Sequence, residues 1–364
     1  MPKIPRSSVS LFRCLLIVTA TIATFAAPRA KSQDQRTVTK LADGVYEIAH
    51  RRGGGGNTTV IIGDRQVFVV DTGFLPSAAR QDIAQIRQWT GKPVCFVLNT
   101  HFHNDHNFGN RIYMDAFPAL TIIAHIDTKN EMDRFGPGSL RREEKDSYGI
   151  RKVLETMLQT GKTQDGQPLT GYDKKQVQEE LARGANVIEE MRNVQFQSAT
   201  LTFQHGFSVD LGNREVQVKF LGRGNTPGDA VAYLPKEKIL IAGDLVAYPL
   251  PNVLDGYPSE WIHTLQALAQ LDAVTIVPGH GAVLHDKDYV YLLRDFMQSA
   301  VDQMNEKLRQ TAPAMFQTLD DVKGGVDLTP FRKRFAGDDP DLAAAFDQVS
   351  SMLVKLVFAE ARLR

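Results

Sequence analysis

Residues 100–110 read Thr-His-Phe-His-Asn-Asp-His-Asn-Phe-Gly-Asn and follow the apolar run Val94-Cys-Phe-Val-Leu98 almost directly. A strand carries alternate side chains on one face, so His101 and His103 reach one point as the strand ends, while Asp105 and His106 turn toward a second. Imidazole nitrogen and carboxylate oxygen are the donors that a borderline-soft divalent ion such as Zn²⁺ takes. Three His and one Asp this close together read as half of a two-metal site rather than as polar surface. The carboxylate also offers an acceptor for a proton from metal-bound water.

Further segments belong with this one. Downstream lie Gly222-Arg-Gly-Asn-Thr-Pro-Gly-Asp229, Ile239-Leu-Ile-Ala-Gly-Asp244 and Ile276-Val-Pro-Gly-His280-Gly281; upstream lies Val67-Phe-Val-Val-Asp71-Thr-Gly73. Asp244 and His280 each follow a short apolar strand candidate, Ile239 to Ala242 and Val274 to Val277, in a Gly-containing turn, where scaffolds place reactive groups. In this order, from about residue 40 to about 290, the motifs resemble those of the metallo-β-lactamase superfamily. The resemblance implies an α/β fold, an αββα sandwich with its ligands on loops along one edge. It also implies roles: His101 and His103 would hold a first metal, Asp105, His106 and His280 a second, and Asp244 would bridge them. Asp71, with Thr226, would support the ligands from behind, and Asp229 reads as a tie for the turn at Thr226-Pro-Gly228.

The chain departs from the family at Asn225, where the third motif usually supplies a histidine. A carboxamide oxygen is a weaker, harder donor than imidazole, so the first site should bind Zn²⁺ less tightly or favour another divalent ion. Three arrangements follow: a dinuclear centre with a labile first metal, a mononuclear centre at Asp105, His106 and His280, or a first site that accepts an oxygen ligand. Two metals of unequal affinity is the preferred expectation. A purely structural Asn225, hydrogen-bonding its loop, is the alternative. His50, His125, His205, His263 and His285 have no ligand spacing to one another and read as surface or satisfied core histidines.

At 364 residues, 43 % hydrophobic and 23 % charged, the chain has the composition of a soluble globular protein. Lys3, Arg6 and Arg13 precede the apolar run Cys14 to Ala27, with no acidic residue before Asp34. Residues 1–32 therefore read as an export signal, cut after Ser32 or nearer Ala27, with an uncleaved anchor as the rival reading. Cleavage removes five basic residues and leaves 37 against 42 acidic ones, a formal charge of −5, which argues against a nucleic-acid partner. Only Cys95 then remains, so no intrachain disulfide is available, and it reads as a small core residue. The expected location is periplasmic or secreted, with no stable membrane anchor after cleavage.

Residues 37–290 read as the metallo-β-lactamase-like domain. It opens with a meander of antiparallel strands at Val45 to Ile48, Thr58 to Ile62 and Val67 to Val70. The run Gly53-Gly-Gly-Gly56 lacks the Lys-Ser/Thr of a phosphate loop and reads as a flexible hairpin over the metal cleft. Ser77 is expected to cap a helix with Ala79, Ile83 and Ile86 on one face. A charged helical insertion follows at about 129–195, with Val177, Leu181, Ile188 and Met191 at helical spacing; a lid, a dimer surface and passive elaboration all remain open for it. Residues 291–364 read as a helical extension with two apolar stripes, Leu293, Phe296, Met297 and Val301, then Leu342, Phe346, Val349, Leu353 and Leu356. They pack on the sandwich or form a partner surface, so an oligomer through the helical segments is open too.

The functional expectation is an exported metal-dependent hydrolase that directs a metal-activated hydroxide at an ester, lactone or thioester-like bond of a small molecule, with Asp105 orienting the nucleophile. β-Lactam hydrolysis is the runner-up. A non-catalytic metal-binding or interaction module is the third reading, from another class.

Overall fold

The computed structural model describes residues 36–50, 55–162, 194–310 and 318–362, with scattered positions between 168 and 192. The export signal expected at 1–32, Gly53 and Gly54 of the glycine run, and Ile188 lie outside the described residues.

Strands β1 (Arg36–Ala42), β2 (Val45–His50), β3 (Thr58–Ile62) and β4 (Val67–Val70) form the expected antiparallel meander. β5 (Val94–Leu98), β6 (Thr121–His125) and β7 (Leu201–Phe203) extend it in parallel to a seven-stranded sheet in chain order. β8 (Gly206–Asp210), β9 (Glu215–Phe220), β10 (Ala230–Leu234), β11 (Ile239–Ala247) and β12 (Thr275–His280) form the second sheet, antiparallel except for the parallel β11–β12 pair. The helices between and after them are α1 (Pro76–Trp89), α2 (Asn104–Asn107), α3 (Asn110–Ala116), α4 (Ile126–Thr160), α5 (Pro258–Gln270), α6 (Asp288–Gln310), α7 (Leu319–Val322), α8 (Thr329–Ala336) and α9 (Pro340–Ala361).

Period-two alternation divides each strand between two cores. Ala230, Ala232 and Leu234 of β10 and Ile239 and Ile241 of β11 face inward against Ile61, Phe68, Val70, Leu98 and Ile123 of the first sheet. Their alternates Val231, Tyr233, Leu240 and Ala242 face outward onto α5, α6 and α9. With both faces covered, these strands read as unbroken apolar runs. On the far side, Ala79, Ile83 and Ile86 of α1 and Tyr113 of α3 cover Val67, Val69 and Val97. The result is an αββα sandwich. Both C-terminal stripes contribute to the core of the second sheet, with Phe296, Met297, Phe346 and Leu353 buried there.

Four local expectations are corrected. The first helix starts at Pro76, with Leu75 before it, because proline needs no partner for a missing N–H and its φ is already helical; the Ser77 amide is satisfied by Glu190 Oε2 at 2.8 Å. β5 ends at Leu98, so His101 and His103 project from an irregular turn and not from an alternating strand. Asp244 lies within β11, which continues past Gly243 in shifted register with β12. Cys95 is only partly buried.

Outside the metal region, a buried carboxylate fastens β1 and β2 to α1. Asp82 is fully buried and accepts from Arg36 Nε at 2.8 Å and His50 Nε2 at 3.0 Å. Removing the acid strands a cation beneath the helix, so Asp82→Ala is expected to lower stability by about 3 kcal/mol. Urea unfolding of the variant against the parent measures this, and an unchanged midpoint would remove the clamp from the account.

Candidate metal centre

The segments that carry the conspicuous residues meet at one end of the two sheets. Behind them lies Asp71, which ends β4 with φ of +59°, a conformation that is costly for any residue with a Cβ. Its Oδ1 accepts the Thr100 amide at 2.8 Å, and its Oδ2 accepts the Thr100 hydroxyl at 2.7 Å and His106 Nδ1–H at 2.9 Å. The Thr100 oxygen in turn accepts from His101 Nδ1 at 3.0 Å. On the outer side, His103 Nε2 donates to Asp255 Oδ2 at 3.3 Å. In the neutral rings these partners fix three tautomers: His101 and His106 turn Nε2 inward as the free donor atom, and His103 turns Nδ1.

Those inward nitrogens crowd together. His101 Nε2 and His103 Nδ1 are 3.0 Å apart, and His106 Nε2 and His280 Nε2 are 3.2 Å apart. Asp244 Oδ1 lies 3.4 Å from His106 Nε2 and 3.5 Å from His280 Nε2, while its Oδ2 is 3.8 Å from His101 Nε2. Asp105 Oδ2 stands 3.1 Å from His280 Nε2 and 3.6 Å from His106 Nε2. Two groupings result, His101–His106–Asp244 and Asp105–His106–His280, sharing His106.

Nitrogens and carboxylate oxygens at such separations draw positive charge between them, as protons or as a metal ion. Metal bonds of about 2.0–2.1 Å in tetrahedral geometry put donor atoms roughly 3.3 Å apart, the middle of the observed range. Asp244 Oδ1, in a carboxylate only 1 % exposed, forms no directed hydrogen bond. The donor set therefore fits divalent ions. Burial works against charge on His106, yet the carboxylates of Asp105, Asp244 and Asp71 outweigh it and push its pKa up to about 10. His280 is raised the same way, by Asp244 and Asp105 against burial. Burial, with the neighbouring His106 and His103, holds His101 well below the usual range, as a neutral donor.

The structure thus brings together His101, His103, Asp105, His106, Asp244 and His280. Asn225 is fully buried on the adjoining loop, and neither its Oδ1 nor its Nδ2 has a hydrogen-bond partner among the described residues. The alternative of an Asn225 that hydrogen-bonds its loop is therefore not what the structure holds. Asp229 takes that part, accepting the Gly224 and Thr226 amides at 3.1 and 2.8 Å and the Thr226 hydroxyl at 2.9 Å. Burial pushes its pKa up to about 7 despite the Thr226 hydrogen bonds. Thr226 accordingly supports the turn through Asp229.

Three contributors escaped sequence reading. Thr100 sits one residue before the motif, and Asp255 lies in a loop with no ligand spacing. The third is glycine packing: a Cβ on Gly56 would fall 2.1 Å from the His106 ring, and one on Gly279 would fall 2.0 Å from Asp244 Oδ1. The end of the glycine run is thus a wedge against the centre, tied by the Gly56 amide to Asp105 O at 2.9 Å.

An αββα sandwich with His and Asp side chains gathered at one end of its sheets defines a class of metal-dependent hydrolases. A family model described as the metallo-beta-lactamase superfamily matches residues 51–280. The chain belongs to that superfamily. It is 22 % identical over 258 residues to a linear primary-alkylsulfatase of a Pseudomonas species, a match covering 66 % of this chain and 44 % of the relative. It is 34 % identical over 82 residues to a metallo-beta-lactamase type 2 of a Bacillus species, covering 21 % of this chain and 32 % of that one. The chain spans less than half the length of these curated relatives. Among solved structures, a metallo-beta-lactamase from Pontibacter korlensis matches with a TM-score of 0.51 at 18 % identity, covering 72 % of this chain and 99 % of that one. The DIM-1 metallo-beta-lactamase matches with a TM-score of 0.50 at 16 % identity, covering 73 % and 98 %. These likenesses establish the fold.

Two outcomes follow for metal retention. Gly56→Ala should displace the His106 ring and lower zinc affinity at least tenfold, whereas Gly91→Ala, where a Cβ meets nothing within 4 Å, should leave it unchanged. Asp71→Asn should weaken zinc binding by about 10–100-fold through misoriented imidazoles. Competition with a chromophoric chelator reads both, and equal affinities across all variants would contradict the geometry.

Proposed function

We propose that the chain is an exported hydrolase that cleaves an ester, lactone or thioester-like bond in a small molecule and uses two zinc ions of unequal affinity. The observation that carries this reading is the pair of His/Asp groupings joined at His106, with one open side. There the Asp105 and His280 side chains are 35 % and 36 % exposed, while His101, His106 and Asp244 are buried. When bound, divalent ions at this site supply Lewis acidity and make hydroxide available near neutral pH.

Asp105 is the exposed carboxylate within the two groupings, so it orients the attacking water and accepts its proton. Asp244, buried between the two groupings, joins them. His103 and Asn225 complete the first site with His101; the unpartnered carboxamide of Asn225 supports ligation by its Oδ1. An oxygen donor in place of an imidazole lowers zinc affinity there, which supports a tight second site and a labile first one. The Lys- and Arg-flanked apolar run at the N-terminus supports export.

The runner-up, β-lactam hydrolysis, draws on the local likeness to the type 2 enzyme. Cleavage of a sulfate ester enters through the alkylsulfatase relative. A panel of a phenyl acetate, a thioester, a lactone, a cephalosporin and a primary alkyl sulfate separates these readings, with elemental analysis of the same samples. Retained zinc with no turnover of any carboxylic ester, thioester or lactone overturns the proposal.

Two substitutions probe the roles. Asn225→His should tighten the weaker zinc equivalent by about tenfold or more, read by calorimetric titration of apo-protein. Asp105→Asn, assayed in excess zinc, should lower kcat by about 10²–10⁴, and near-parental turnover would take the proton-accepting role from this residue.

A further inference from the structure

α4 leaves β6 directly and is fastened to the ligand-bearing loops on both sides of one aromatic residue. The Thr128 hydroxyl donates to Gly228 O at 2.6 Å, and the Ser139 hydroxyl donates to Asn104 Oδ1 at 2.9 Å, next to His103 and Asp105. Between these ties, the Phe135 ring lies 6.1 Å from that of Phe102. Phe102 stands between the two histidines of the motif, and its ring meets the His103 imidazole edge-on at 4.7 Å. The helix backbone is seated tightly here, since a Cβ on Gly136 would fall 2.1 Å from the Phe196 ring. The Arg134 guanidinium lies 4.7 Å from the centre of the Phe135 ring and 3.7 Å from Glu131, so the outer end of the pair is bounded by a cation already matched to an acid.

Phe102 and Phe135 are each partly exposed. They present apolar surface beside a cluster whose other accessible members, His103, Asp105, Asp255 and His280, are polar or charged. Small-molecule sites combine such walls with a few convergent polar groups. The two hydroxyl ties hold Phe135 in place, which makes the helix a fixed wall rather than a moving lid.

We propose that Phe102 and Phe135 form an apolar subsite that receives an alkyl or aryl group adjoining the scissile bond, so that the inserted helix selects the substrate. This rests on the hydrolytic reading of the metal centre. It assigns specificity to residues outside the ligand set and favours substrates with an uncharged hydrophobic arm.

The test uses binding, so that it stands apart from turnover. Acetohydroxamate and octanohydroxamate share a metal-chelating head and differ by six methylenes, and each is titrated calorimetrically into the zinc-loaded full chain. Octanohydroxamate is expected to bind at least about tenfold more tightly, a fraction of what full burial of the tail would give. Phe135→Ala should cut that ratio below about threefold, Phe135→Leu should keep most of it, and zinc content should match the parent in both. Phe102→Ala provides an independent second variant should Phe135→Ala fold poorly. Equal affinity of the two hydroxamates for the parent, or an undiminished ratio in a folded Phe135→Ala or Phe102→Ala, overturns the subsite. Silence of the ester panel with the ratio preserved would instead overturn the hydrolytic reading alone.

Discussion

The centre depends on one buried carboxylate. Asp71 accepts three hydrogen bonds, two from Thr100 and one from His106, and through the Thr100 hydroxyl it also sets the ring of His101. A backbone amide, a hydroxyl and an imidazole N–H are all the donors its oxygens engage there, and each either fixes a loop or aims a nitrogen. The strain of a positive φ at a non-glycine residue is tolerable because β4, held between β3 and β5, over-determines the position. Both sheets then bring their ends to it: β4 and β5 from the first, β11 and β12 from the second. Because the inner faces of those same strands make the sandwich core, the spacing of the nitrogens is set by hydrophobic packing as much as by the ligands themselves.

How much of this was legible depended on whether chemistry or packing carried the signal. His101, His103, Asp105 and His106 lie within one turn of chain, and their types alone announce a metal. Asp244 and His280 were legible as reactive residues beside apolar strands, though each lies within its strand and not after it, because β11 and β12 run on in parallel pairing through shifts of register. The meander and the alternation of β10 were legible because period two is a local property. Asp255 was not: its relation to His103 spans 152 positions, and nothing in Leu254-Asp-Gly256 marks it. Gly56 was misread for a related reason. A glycine that exists because an imidazole lies where its Cβ would be looks in sequence like one that exists for flexibility.

The same distinction applies at the third motif. Thr226 and Asp229 are both polar residues in one turn, and the tie expected at Asp229 is the one the structure holds. The structure divides the work by hydrogen-bond capacity: a carboxylate accepts two amides and a hydroxyl at once, so Asp229 closes the turn and takes Thr226 with it. That leaves Asn225 without a hydrogen-bond partner among the described residues, although a buried amide left unmatched costs about 1–3 kcal/mol.

That argument extends to the whole cluster. Asp244 and Asn225 hold buried polar atoms without partners, and the inward nitrogens face one another across 3.0–3.2 Å. Without protons or cations between them this is unfavourable, since neither the nitrogens nor the carboxylate is compensated by solvent. The hydrophobic cores on both sides of each sheet can hold such an arrangement in register, and cations can make it favourable, so folding and metal uptake share one free energy. A site built this way is ordered before its metal arrives. The turn that carries Asn225 is closed by Asp229, so its shape does not depend on a metal.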